Sequence, residues 1–163
     1  MILKVLLQDI RKLETEAVIV GFFEDVRPLK GLAGELDWLL CGALSDLIVS
    51  GKLRGSLGDV ALLTSKNKIP AQKIFMIGLG RRQELSPALL RGVARTAAAS
   101  ALGAGITNAA LEYIPAAGLE LATSIRALRN GLQDGAGTQA LDVALLVPDA
   151  ASYEKVSKLA AAR

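Results

Sequence analysis

Short apolar runs alternate with longer amphipathic ones along this 163-residue chain. Ile2–Leu7 is the first strand candidate. Ala17–Phe23 is the second, an apolar, β-branched run suited to burial on both faces. Leu32–Val49 predicts a helix, because apolar residues at 36, 39, 40, 43, 44 and 47 form one stripe. Gly51 and Gly55 end it. Val60–Thr64 and Lys73–Ile77 predict strands separated by the polar turn at residues 66–70. Ser86 and Pro87 then supply an N-cap and a first helical residue. The helix that follows turns Leu89, Leu90, Val93, Ala94, Ala97, Ala101 and Leu102 inward and ends at Gly103 and Gly105. Ala109–Ile114 predicts a strand, and Leu119–Leu132 a helix with Leu121, Ile125, Leu128 and Leu132 on one face. Gly135 and Gly137 break the chain before the last strand, Ala140–Val147, and a closing helix, Ala151–Ala162.

Strands joined through crossover helices imply an α/β fold with a largely parallel sheet covered on both faces. No internal repeat and no interdomain linker interrupts the pattern, so residues 1–163 are expected to form a single domain. That length suffices for a sizeable core.

The run Ile74-Phe75-Met76-Ile77 stops abruptly at Gly78-Leu79-Gly80, followed by Arg81-Arg82 and the Ser86-Pro87 cap. Strand, glycine turn and helix start lie where ligands dock in α/β sheets. Small residues allow backbone N–H groups to approach an anion, and the next helix would add its positive end. Gly78, Leu79, Gly80, Arg81 and Arg82 are therefore the candidate site for a small anionic ligand. The full dinucleotide pattern fails, since Gln83 stands at the third glycine position. A tight turn that simply needs glycine explains the same residues.

Hydrophobic residues make up 52% of the chain and charged residues 21%, which is a globular balance. The 19 basic residues are scattered, and the net charge is only +3. No stripe for nucleic acid emerges. The N-terminal Met-Ile-Leu-Lys-Val-Leu-Leu has the wrong order and length for a signal peptide. The longest uncharged stretch, Thr96 to Leu111, is too short and too weakly apolar for a bilayer. One cysteine excludes an internal disulfide and suits a reducing, cytoplasmic setting.

Histidine is absent, so nothing of that kind could activate Cys41 as a nucleophile. No cluster of metal-type ligands stands out and no cofactor is implied. Glu24-Asp25 and Glu35 with Asp37 are expected to be solvated loop charge. Trp38 falls about 200° from Leu36 on the predicted helix, opposite the Leu36, Leu40, Leu44, Leu47 stripe, with Cys41, Ser45 and Val49 on its side. Trp38, Cys41 and Val49 are candidate contacts to another chain. Cover by a local loop is the alternative.

Several segments in order resemble the N-terminal, non-catalytic domain of the leucyl (cytosol) aminopeptidase family. They are Ala17-Val18-Ile19-Val20-Gly21-Phe22-Phe23-Glu24, Leu36-Asp37 with Gly42-Ala43-Leu44, the stretch Gly51 to Asp59, and Ile74 to Gly80. The resemblance runs from about Ile2 to Asp134. It implies a macro-domain-like, three-layer α/β/α sandwich with a mostly parallel mixed sheet. Family members continue into a catalytic domain with two metal ions and an Asn-Thr-Asp-Ala-Glu-Gly-Arg motif. None of that motif occurs here, so no catalytic residue carries over and no peptidase activity is expected.

The resemblance therefore implies a stand-alone, non-enzymatic domain acting by protein–protein contact, as a homo-oligomer or beside a full-length aminopeptidase. Two other expectations remain open. One is a module binding a nucleotide or ADP-ribose-like ligand at Gly78–Arg82. The other is weak DNA binding, against which the scattered basic residues argue.

Overall fold

The computed structural model describes residues 1–116 and 118–161. Its strands are β1 (Ile2–Leu6), β2 (Ala17–Phe22), β3 (Val60–Thr64), β4 (Lys73–Gly78), β5 (Asn108–Glu112) and β6 (Asp142–Leu146). Its helices are α1 (Gly31–Leu39), α2 (Ala43–Val49), α3 (Pro87–Gly103), α4 (Leu121–Ala136) and α5 (Ala150–Ala161), with a 3-10 turn at Arg82–Glu84. The six strands form one sheet in the order β1-β6-β5-β2-β4-β3, parallel throughout except for β3, which runs antiparallel to β4. The mixed, mostly parallel sheet matches the fold expected from the sequence.

Alternate residues of each strand feed two cores, as the two-residue period of a strand requires. Ala17, Ile19, Phe75, Ile77, Ala109 and Leu111 pack beneath α3, α4 and α5. Val18, Val20, Phe22, Ile74, Met76 and Ala110 pack beneath α1 and α2. The result is three layers, and β2, β4, β5 and β6 are covered on both faces.

The predicted helix over 32–49 is two helices. Cys41 (φ 54°) and Gly42 (φ 87°) are left-handed and separate α1 from α2. The Gly42 N–H donates to the Asp37 carbonyl and the Cys41 N–H to the Trp38 carbonyl. This is the paired-bond ending of an α-helix in which glycine usually takes the place held here by Cys41. The apolar stripe survives the break, because Leu36, Leu40 and Leu44 all remain buried. Ser86 caps α3 as predicted, its Oγ accepting the Leu89 N–H at 3.2 Å. Gly135 does not break the chain. It lies inside α4, where Gly131 and Gly135 sit against the Arg91 and Arg95 carbonyls of α3. The helix ends at Ala136, with Gly137 as its C-cap. Ala162, the last residue of the predicted closing helix, lies outside the described residues. No helix among the described residues is long and apolar enough to cross a membrane.

Candidate functional site

Parallel strands end on one side of the sheet, so the loops that follow β1, β2, β5 and β6 gather at a common crest. Two clefts open there. The first, about 250 Å³, lies between the β2–α1 loop and the segment after β5; Phe22, Phe23, Val26, Leu29, Ile114 and Pro115 supply its apolar wall. Lys30 and Arg82 are its basic residues. The second, about 550 Å³, lies towards β1 and β6, with Asp9, Arg11 and Glu35 on its rim. Gly31, Glu112, Tyr113 and Pro115 border both.

Glu112, at the end of β5, is the centre of this region. Its Oε1 accepts the Leu32 N–H at 2.7 Å. The preceding Lys30 offers α1 no side-chain cap, so this carboxylate from a neighbouring strand holds the helix start instead. The fit requires Gly31. That residue is left-handed (φ +59°), and a Cβ there would stand 2.4 Å from Glu112 Oε1. Oε2 is buried without a hydrogen-bond partner. Burial pushes the Glu112 carboxyl up to about 7, against the opposing pull of the Leu32 and Gly21 amides. The cleft wall is fixed by Arg27, whose guanidinium donates to the Phe23, Val26 and Arg54 carbonyls.

The glycine turn lies beside this crest. The Gly78 N–H donates to the Asp59 carbonyl, Leu79 N–H to Phe22, and Gly80 N–H to Gly55, while the Gly80 carbonyl accepts from Glu24. The turn's amides are thus bonded within the chain, where the sequence suggested free donors. Gly78 is required by packing, since a Cβ would lie 2.0 Å from the Ser56 carbonyl. Leu79 is buried. Arg81 Nε meets Glu24 Oε1 at 3.0 Å, and the Arg82 N–H donates to Asp25. Of the five residues proposed from sequence, Arg82 is the one on the first cleft.

The acidic pairs read as solvated loop charge are engaged instead. Besides Glu24 and Asp25, Glu35 pairs with Arg11 at 3.1 Å. Asp37 Oδ1 accepts the Leu44 and Ser45 N–H groups at 2.9 Å each, capping α2. Among the described residues no group of three or more histidine, cysteine or acidic side chains could hold a metal ion.

Trp38 is 76% and Val49 86% exposed, and Cys41 is exposed between them in sequence. Ser45 is half-buried and tied to Asp37. Sequence reasoning missed Glu112 and Arg27. The available signal for the first was an acid inside the otherwise apolar run Ala109–Ile114. Nothing local marks Arg27, whose acceptors come from two loops.

The layers, strand order and crest define a macrodomain-like α/β domain. A model of the cytosol aminopeptidase family, N-terminal domain, matches residues 19–161, and the chain belongs to that family. A probable cytosol aminopeptidase of Geobacter sulfurreducens is 35% identical over 136 residues, covering 83% of this chain and 27% of that protein. The chain thus spans less than a third of that relative's length. Among solved structures, a tomato leucine aminopeptidase mutant superposes with a TM-score of 0.70 at 16% identity, over 98% of this chain and 35% of the other. A Trypanosoma brucei macrodomain in complex with ADP gives 0.75 at 15% identity, over 97% and 68%. At these identities the structures speak for the fold.

Proposed function

We propose that this chain is a non-catalytic, cytoplasmic module that works by holding another protein chain against the surface of Trp38, Cys41 and Val49. One observation carries the reading: Trp38 and Val49 are exposed on helices whose opposite side is a complete buried stripe of Leu36, Leu40 and Leu44. Exposed tryptophan contributes large apolar area at little entropic cost, which suits contact centres. The partner is a second copy or a full-length aminopeptidase of the same family. Sedimentation of wild type and Trp38→Ala, each alone and mixed with such an enzyme, tests this. The substitution should abolish association through this surface and leave the chain folded. Identical mass distributions at every concentration would overturn the proposal.

A second reading places a small anionic ligand of nucleotide or ADP-ribose type at the crest. It is favoured by Lys30 and Arg82 beside the apolar wall of the first cleft and by the ADP complex of the Trypanosoma macrodomain. In this reading Gly78, Leu79, Gly80 and Arg81 set the position of Arg82. Titration with ADP and ADP-ribose, followed by amide chemical shifts, should perturb Lys30, Gly31 and Arg82 first. Shifts clustered away from the crest, or none at millimolar ligand, would reject it.

A further inference from the structure

We propose that the outer edge of β3 is a pairing surface for a second copy of this chain, joining two sheets antiparallel across a two-fold axis. The hydrogen-bond register of β3 carries the argument. The Gly78 N–H donates to the Asp59 carbonyl and the Ser65 N–H to the Gln72 carbonyl. In an antiparallel ladder bonded residues alternate, so 59, 61, 63 and 65 direct their backbone groups at β4. Val60, Leu62 and Thr64 therefore direct their N–H and C=O groups outward, along an edge of the sheet.

The side chains of the same three residues are exposed, Leu62 at 50% and Val60 at 37%. Leu62 pairs with Phe75 and Val60 with Ile77 across the ladder. They thus extend the α3-side core beyond its cover, and Leu57, also exposed, lies next to them over Gly80. Native edges are commonly blunted by proline, inward charge or a bulge. Residues 60–64 have none of these: they are Val-Ala-Leu-Leu-Thr, in regular one-to-one register with β4.

The occupant follows from the register. Pairing about Leu62 places Leu62 opposite Leu62 of the copy and Val60 opposite Thr64. All three pairs are of the bonded type, so every outward N–H and C=O of β3 finds a partner. The apolar side chains meet on one face, where cross-strand aliphatic pairs are favourable. The same register sets Asp59 of one copy opposite Ser65 of the other and Lys66 opposite Gly58, so no like charges meet across it. An isologous contact needs this self-complementarity. The surface is separate from that of Trp38, which lies on the α1–α2 layer, across the sheet.

The test is sedimentation over a concentration series with Leu62→Lys and Leu62→Pro. Proline at 62 removes an outward N–H and leaves the β4 bonds in place. Wild type should dimerise, and both variants should raise the dimer Kd about tenfold or more while keeping their far-ultraviolet circular dichroism. Trp38→Ala should leave this contact unchanged. In a Cys41→Ser background, Leu62→Cys should form a covalent homodimer on mild oxidation, since bonded antiparallel pairs stand about 5.5 Å apart at Cα. Thr64→Cys should cross-link with Val60→Cys but poorly with itself. In a Trp38→Ala background, which removes the contact proposed above, a chain that stays monomeric, a dimer that survives Leu62→Lys, or equal self-cross-linking at 62 and 64 would overturn the proposal.

Discussion

Glu112 is a buried carboxyl placed at a cost. Its one bonded oxygen secures the start of α1, and its other oxygen is buried without a partner. An unfolded glutamate ionises near 4.5, whereas here burial raises the carboxyl to about 7. At pH below both values it is protonated in either state and contributes no pH dependence. Between them folding takes up a proton, so stability falls as pH rises, and the full penalty applies above about 7. The gap corresponds to at most about 3.5 kcal/mol. Glu112→Gln keeps the acceptor for Leu32 and cannot ionise. Relative to wild type it should gain stability between about pH 5 and about pH 8, read from urea midpoints. A difference that stays flat with pH would show that the carboxyl titrates normally. The sequence could flag this acid only as an interruption in an apolar strand. Its meaning depends on Gly31, 81 positions earlier, which no local pattern connects to it.

At the scale of elements, glycine separates what pattern can read from what it cannot. A helix ending and a close helix–helix approach draw on the same residue. Gly135 therefore looked like a stop, yet it is where α4 meets α3. A Cβ at Gly131 would stand 2.2 Å from the Arg91 carbonyl, and one at Gly135 would stand 2.3 Å from that of Arg95. Backbone oxygens have little room to retreat. Gly131→Ala or Gly135→Ala should cost about 1–3 kcal/mol or more. Gly92, inside α3, faces open space. Gly92→Ala should instead stabilise by about 0.5–1 kcal/mol. Thermal melts of the three variants decide it, and a common sign would refute the packing argument. The α1–α2 break was hidden for a related reason. Leu36, Leu40 and Leu44 keep one inward stripe across a left-handed Cys41-Gly42 turn. Leu44→Ala should cost about 2–5 kcal/mol, since the side chain is fully buried. An unchanged denaturation midpoint would mean the helix does not depend on that stripe.

At the scale of the molecule, apolar runs and crossover helices made the layered α/β architecture legible, because burial on both faces needs continuous apolar strands. The reversed direction of β3 was legible only through the short 66–70 turn, since parallel neighbours need a crossover of a dozen or more residues. The crest was only half legible, since its walls come from segments about 90 positions apart in a sequence of 163. The distribution of acids bears on chemistry at this scale. Two-metal hydrolysis needs carboxylates converging on ions about 3.5–4 Å apart. Here the acids are spread over separate structural tasks. Asp37 caps α2, Asp149 caps α5 through the Ser152 N–H, and Asp59 holds the Arg54 and Gly55 amides. Glu16 accepts from Thr107 and Asn108, and its carboxyl is held below the usual range chiefly by the Thr107 amide. Asp134 pairs with Arg91 at 2.6 Å. Recruiting any three of these to one ion would dismantle caps and pairs in different layers. We therefore expect the purified 163-residue chain to leave leucyl amides intact with added manganese or zinc. Metal-dependent release of the amine, persisting through repurification and abolished by a chelator, would contradict this and require an acidic cluster assembled by another conformation or another copy.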